Sequence, residues 1–171
     1  MNEPLPDNPL ASYLRDILRA VDNRSPFCAI ALTLALPDIC GSIEYPQMNG
    51  AGQVGARYRR WCDEWARMVV LSGADCYALR CAYLHSGLDE FSGPAARSAI
   101  FNRVEFTSGT VGGVWDSRAI PAGAGHKARI PHEMLCRDMT RSAEGWRRAR
   151  ADDSRVAEAI AGLMRIQEVI G

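Results

Sequence analysis

The chain has 171 residues, of which 47% are hydrophobic, 23% charged and 8% aromatic. This composition is too apolar for a disordered chain and fits one globular domain of ordinary size. The formal net charge is zero, which argues against a basic nucleic-acid coat protein and against an acidic solvating tail.

The six cysteines form no C-x-x-C pair, and most of them stand in apolar stretches. We therefore interpret them as reduced core residues. The chain opens without a charged-then-apolar signal sequence, and its longest apolar run, 27–36, is too short to cross a bilayer. These features predict a cytoplasmic protein that has no membrane partner.

Apolar residues at helical spacing predict a first helix over 10–21. Pro26 suits the first position of a second helix, 27–36, which is apolar on all sides and is expected to be the central, buried one. Pro37 is expected to end or kink that helix, and 38–50 is predicted to be a loop.

A third helix is predicted over 51–71, where aromatic and apolar residues recur every three or four positions. Ser72 and Asp75 have the spacing of a capping box and predict the start of a fourth helix. Gly87 is placed to end that helix in the left-handed conformation.

Glycine, serine and proline become frequent over 88–130. Alternation over 102–106 predicts a strand with one buried face, and Val114-Trp115 is its predicted return strand. We expect a small β-hairpin here, followed by a flexible loop around 123–125.

Pro131 suits the start of the fifth helix, and Asp152-Asp153-Ser154 can cap the last one. The sequence therefore predicts a mainly α protein: a single domain over 1–171, built as a bundle of five to six helices, with a small β-hairpin inserted at 88–130.

His85 is the residue that most suggests a function. It stands at the end of the fourth helix, with four residues between it and Arg80. At this point the sequence resembles the HEPN superfamily (higher eukaryotes and prokaryotes nucleotide-binding domains), whose all-α bundles often carry an Arg, four to six residues and a His near a helix end. The position after the arginine, often polar in that superfamily, is Cys81 here. The resemblance covers about 10–87 and the last two helices.

Arg80 and His85 together suit RNA cleavage without a metal. An imidazole transfers protons near neutral pH, and a guanidinium holds two phosphate oxygens while keeping its charge. Attack of a 2′-OH on its own phosphate would leave a 2′,3′-cyclic phosphate, and DNA would resist. The resemblance thus implies a metal-independent endoribonuclease without a cofactor.

Positions i and i+5 of a helix are about 140° apart around the axis, so one helix is not expected to aim Arg80 and His85 at the same phosphate. Proteins of the HEPN superfamily dimerise, and a two-fold interface would bring two copies of each side chain into one cleft. We therefore expect a homodimer. The resemblance also implies a toxin or phage-defence role, with an antitoxin or a defence protein as a possible partner.

RNA-binding candidates lie close to this motif. Arg57 and Arg60 belong to an arginine cluster that is either an RNA-binding surface or a solvated helix face. Tyr77 and Tyr83 flank Arg80 and could reach the cleft.

Other interpretations stay open at this stage. The chain could be a non-catalytic HEPN-like module that binds a nucleotide, RNA or a protein. It could also be a structural homodimer in which Arg80 pairs with a carboxylate and His85 caps the helix. The carboxylates considered as partners are Asp38, Glu44, Asp63 and Glu64, and the first two could instead line the cleft.

Two further chemistries are less favoured. Zinc binding by His126, His132, Glu133 and Cys136 fits no standard ligand spacing. Cys81 as a nucleophile lacks an evident orienting group, and its flanks are apolar.

Overall fold

Six α-helices and two short strands form the described part of the chain, which comprises residues 8–67, 71–109 and 127–164 of a computed structural model. The prediction of a mainly α helical bundle is confirmed. The elements are α1 (Pro9–Asp22), α2 (Pro26–Glu44), α3 (Val54–Trp65), α4 (Gly73–Ser86), β1 (Arg103–Thr107), β2 (Lys127–Pro131), α5 (His132–Ala149) and α6 (Ser154–Ala161), with 3₁₀ turns at Pro46–Met48 and Pro94–Ser98.

Helix α2 is the centre of the bundle, as its uniform apolarity predicts. It packs against α1, α3, α4, α5 and α6. By length and composition it is also the one described helix that could cross a membrane, with a mean hydropathy of 1.6, and half of that stretch is buried inside the protein. A buried core helix meets the same criterion, and α2 is the core helix of this bundle because it contacts five other helices.

Of the two alternatives at Pro37, the end of the helix is wrong, because α2 continues through this residue to Glu44. A proline inside a helix removes one backbone hydrogen bond and strains the preceding turn. Leu36, Pro37 and Cys40 are all buried, and this packing holds the helix together across the defect. The first part of the predicted loop 38–50 is therefore helical, which puts Asp38 on a rigid element.

Local signals at the helix ends are confirmed. The side chains of Ser72 and Asp75 form the reciprocal capping box at the start of α4, and Gly87 ends that helix with φ +66°. Asp153 caps α6 by accepting a hydrogen bond from the amide of Val156.

Two glycines allow α2, α3 and α4 to approach closely. A Cβ atom at Gly41 would lie 3.3 Å from Cγ of Arg57, and one at Gly55 would lie 2.7 Å from the ring of Tyr77. Arg57 on α3 therefore packs directly on α2, and Tyr77 on α4 packs directly on α3. Side chains from three helices can meet because of this spacing.

The predicted β-hairpin is corrected by the strand pairing. Strand β1 pairs with β2 in parallel, with Val104 opposite Ala128 and Phe106 opposite Ile130. A hairpin requires antiparallel strands, and its predicted return strand, Val114-Trp115, lies outside the described residues, as does the predicted loop 123–125. The pairing follows burial, because Val104, Ala128 and Ile130 are all almost fully buried and α5 follows β2 directly.

The 88–130 region is attached to α4 at both ends of that helix. Oδ1 of the fully buried Asp75 accepts hydrogen bonds from the amides of Ile100 and Phe101, at 2.6 and 3.0 Å. The ring of Phe106 meets the ring of Tyr83 edge-on, with centroids 6.4 Å apart. Strand β1 therefore lies beside the last turns of α4, where Arg80 and His85 stand.

Candidate Arg80–His85 site

Arg80 and His85 contact each other within one chain. Nη1 of Arg80 lies 2.9 Å from Nε2 of His85. A guanidinium can only donate hydrogen bonds, so Nε2 is the acceptor and carries no proton in this arrangement. The two positions are about 140° apart around the helix axis, and the long arginine side chain spans this angle.

Asp38 on α2 holds the other edge of the same guanidinium. Nε of Arg80 donates to Oδ2 of Asp38 at 2.9 Å, and the two side chains are 19% and 18% exposed. Burial alone would lower the pKa of Arg80, but the charge of Asp38 and its hydrogen bond outweigh this effect and raise it. Asp38 is thus the carboxylate that pairs with Arg80.

Arg57 joins this cluster from α3. Its side chain is only 10% exposed, so the expectation of a solvated position does not hold for it. Nη2 of Arg57 lies 3.9 Å from Oδ1 of Asp38, and Nη1 donates to Oδ1 of Asn49 at 2.5 Å. Sequence reasoning missed Asn49, which follows a 3₁₀ turn and carries no pattern of its own.

Tyr77 packs between α3 and α4. Its ring centroid lies 5.5 Å from that of Tyr58, and the guanidinium carbon of Arg59 lies 5.6 Å from it on the face of the ring. Burial, and then the neighbouring Cys81, raise the pKa of Tyr77. Its phenol is therefore protonated at neutral pH and can donate a hydrogen bond but cannot act as a base.

Tyr83 connects the end of α4 to the start of α2. Its hydroxyl donates to the carbonyl oxygen of Phe27 at 3.2 Å. Phe27 is itself 78% exposed. Tyr83 is half-buried, and its hydroxyl makes an architectural contact of its own.

Arg60 makes its contacts away from the Arg80–His85 pair. Its Nε donates to Oε1 of Glu64 at 2.7 Å, and its guanidinium lies 4.5 Å from the ring centroid of Tyr45. About half of the side chain is exposed. Of the two arginines proposed for RNA binding, Arg60 is therefore the accessible one and Arg57 is the one next to the motif.

The remaining carboxylates considered for Arg80 have structural partners. Glu44, only 7% exposed, accepts hydrogen bonds from Trp146 and Arg150. These bonds, with Arg150 foremost, hold the pKa of Glu44 below its ordinary value. Asp63 accepts a hydrogen bond from the amide of Gly73 at 2.7 Å.

The residues considered for zinc are placed by other contacts. Nδ1 of the buried His132 lies 3.0 Å from the carbonyl oxygen of Thr107 and 3.3 Å from Oε2 of Glu133. Within residues 8–67, 71–109 and 127–164, no group of three or more His, Cys, Asp or Glu side chains could hold a metal ion. His126 lies outside these ranges.

No known protein family, curated protein or solved structure matches the chain. The resemblance to the HEPN superfamily therefore depends on the spacing of Arg80 and His85 and on the helical pattern around them.

Proposed function

We propose that the protein is a HEPN-like, metal-independent endoribonuclease that cleaves RNA by attack of a 2′-OH on the adjacent phosphate. The observation that carries this proposal is the 2.9 Å contact between Nη1 of Arg80 and Nε2 of His85. A cation that binds phosphate and a ring nitrogen that can take a proton are thereby adjacent at the end of α4, where His85 is exposed.

In the first step, the Nη atoms of Arg80 exchange His85 for a phosphate as their hydrogen-bond acceptor. The oxygens of a bound phosphate compete for the Nη atoms of Arg80, because a charge-assisted hydrogen bond to phosphate is stronger than one to a neutral ring. Nε2 of His85 is then free to take the proton of the 2′-OH. The 2′ oxygen bonds to phosphorus, the bond to the 5′ oxygen breaks, and the guanidinium stabilises the charge on the phosphate.

The leaving 5′ oxygen needs a proton from a second group. In the homodimer that the HEPN resemblance implies, the partner's His85 would supply it across a shared cleft, once that ring has left its own Arg80 and carries a proton on Nε2. Leu84 and Leu88, on either side of His85, are 37% and 52% exposed, and this apolar surface supports an interface near the site. We propose that the dimer acts in the cytoplasm as a toxin or in phage defence, with an antitoxin or a defence protein as a further partner.

RNA cleavage in EDTA tests the proposal. The wild type should cut, whereas His85→Ala and Arg80→Ala should each lose about 10²- to 10⁴-fold in rate, the usual contribution of such groups. Arg19→Ala is the matched control, because Arg19 is an exposed α1 residue paired with Asp16. Cutting by His85→Ala at the wild-type rate would refute the proposed mechanism.

The alternative is a non-catalytic HEPN-like module that binds a nucleotide, RNA or a protein. The contact with Asp38 favours it, because a guanidinium held by a carboxylate also serves as a plain structural or binding group. RNA binding without cutting, weakened by Arg80→Ala, would support the module. Unchanged RNA affinity in that variant, with a large loss of stability, would support a structural ion pair.

A further inference from the structure

Asp38 lies between two guanidinium groups that come from different helices. Its Oδ2 atom accepts a hydrogen bond from Nε of Arg80 at 2.9 Å, while its Oδ1 atom lies 3.9 Å from Nη2 of Arg57. All three side chains are at most 19% exposed. One carboxylate thus faces two cations in a site that water reaches poorly.

The contact with Asp38 fixes which edge of Arg80 is available. Nε is occupied by the carboxylate, and Nη1 points at His85. A guanidinium that is free to rotate would present its donors in many directions, and rotational freedom of a group that binds the reacting phosphate lowers the rate. Asp38 therefore selects the orientation in which the Nη edge faces the imidazole.

Asp38 is itself fixed by its surroundings. It follows Pro37 on the continuous helix α2, so its backbone is rigid. Arg57 approaches it because Gly41 has no side chain, and Asn49 holds the far end of the Arg57 guanidinium at 2.5 Å. Asp38 therefore contacts Arg80 from a position that the α2 backbone and its neighbour Arg57 keep fixed.

The same carboxylate works against RNA binding. Two arginines and one aspartate, beside a neutral histidine, leave a net charge of one positive unit instead of two. A phosphodiester is an anion, so the charge of Asp38 repels it. The hydrogen bond of Asp38 at the same time orients the Arg80 guanidinium that would bind this phosphate.

We propose that Asp38 is the positioning residue for Arg80 and that it raises the cleavage rate while lowering the affinity for RNA. The inference deepens the proposed function, because it assigns a role at the same site. It predicts opposite changes in turnover and in binding, which a merely structural role would not produce.

Three variants separate these effects. Asp38→Asn keeps the size of the side chain and removes its charge, so kcat should fall about 10- to 100-fold while the dissociation constant for RNA at low salt falls a few-fold. Asp38→Glu keeps the charge but displaces it, so kcat should fall with the RNA affinity unchanged. Asp16→Asn removes an equal charge from an exposed surface pair on α1 and should leave kcat as in the wild type.

A spectroscopic readout is independent of activity. The Nε–H resonance of Arg80 in ¹⁵N-labelled protein should be protected from exchange in the wild type and in Asp16→Asn, and it should shift or disappear in Asp38→Asn. Urea unfolding of each variant identifies a loss of fold. If Asp38→Asn is unfolded, Asp38→Glu carries the test through its kcat and RNA affinity.

The outcomes distinguish this inference from the proposed function. Wild-type kcat and RNA affinity in folded Asp38→Asn, with His85→Ala inactive, would overturn the role of Asp38 and leave the nuclease intact. If wild-type protein does not cleave RNA in EDTA, the nuclease proposal fails together with the rate effect of Asp38. An unchanged Arg80 resonance in Asp38→Asn would overturn the positioning itself.

Discussion

Nη1 of Arg80 donates to Nε2 of His85 at 2.9 Å, although the two residues are five positions apart on one helix. The same guanidinium donates to Asp38 through Nε. Arg80 therefore uses two edges of a planar fork at once, and this geometry is available to arginine but not to lysine.

Arg80→Lys tests the importance of the fork. A lysine keeps the positive charge, but its single ammonium cannot contact Asp38 and His85 in the same planar geometry. We expect the cleavage rate to fall at least about tenfold while the RNA dissociation constant stays within about twofold. Single-turnover cleavage and RNA titration measure the two quantities. Full activity in the lysine variant would show that charge alone is sufficient.

Arg60→Ala tests the accessible RNA-binding candidate. Arg60 is half exposed and its ion pair with Glu64 is at the surface, so its removal should leave the stability of the fold nearly unchanged. If Arg60 binds a phosphate, the slope of log affinity against log salt should fall by about 0.7, the value for one contact with a single strand. RNA titrations over a range of salt give this slope, in the His85→Ala background that we expect to be inactive. The same slope with and without Arg60 would remove it from the binding surface.

Glu44→Gln tests the buried carboxylate that joins α2 to α5. The bonds from Arg150 and Trp146 lower the pKa of Glu44 from its ordinary value of 4.5. The pKa of Glu44 is lower in the folded state than in the unfolded state. The resulting stability is therefore fully present above the ordinary value of 4.5 and is lost as the pH falls through the folded-state pKa. At pH 7 the variant should lose about 1.5–3 kcal/mol of unfolding free energy, typical of hydrogen bonds to a charged group.

The difference between wild type and Glu44→Gln should shrink as the pH falls below 4.5, as followed by urea unfolding. Glu144→Gln is the control, since Glu144 forms only a partly exposed pair with Arg148 at 3.8 Å and should change stability by less than about 1 kcal/mol. A difference that is equal at pH 7 and under acid conditions would contradict the assigned role of Glu44.

Gly55→Ala tests the close packing of α3 on α4. The added Cβ would lie 2.7 Å from the ring of Tyr77, so we expect a loss of about 1–3 kcal/mol, as for overpacked cores. Gly145→Ala is the matched control on α5, where no atom lies within 4 Å of the new Cβ. It should gain about 0.5–1 kcal/mol, the usual advantage of alanine over glycine in a helix. Urea unfolding that ranks the two variants the other way would contradict this packing.

Local sequence signals predicted much of the fold. The capping box of Ser72 and Asp75, the helix end at Gly87 and the cap at Asp153 each depend on residues a few positions apart. The uniform apolarity of 27–36 identified the central helix. These features are set by nearby backbone chemistry, so the sequence carries them directly.

Features that depend on distant partners could not be predicted. Pro37 is compatible with the end of a helix or with its interior, and only the packing around α2 decides between them. Val104 pairs with Ala128 in parallel, a register set by burial across a long connection. The arginine pattern gave no sign that Arg57 turns inward, because that depends on the small size of Gly41 on another helix.

The chemistry of the RNA ends tests the central claim most directly. An RNA substrate incubated with the wild-type protein in EDTA should give fragments ending in a 2′,3′-cyclic phosphate, as measured by mass spectrometry, and a 2′-deoxy substitution at the cut position should abolish cutting there. Fragments that carry a 3′-hydroxyl, or equal cutting at the 2′-deoxy position, would contradict attack by the 2′-OH at the Arg80–His85 pair.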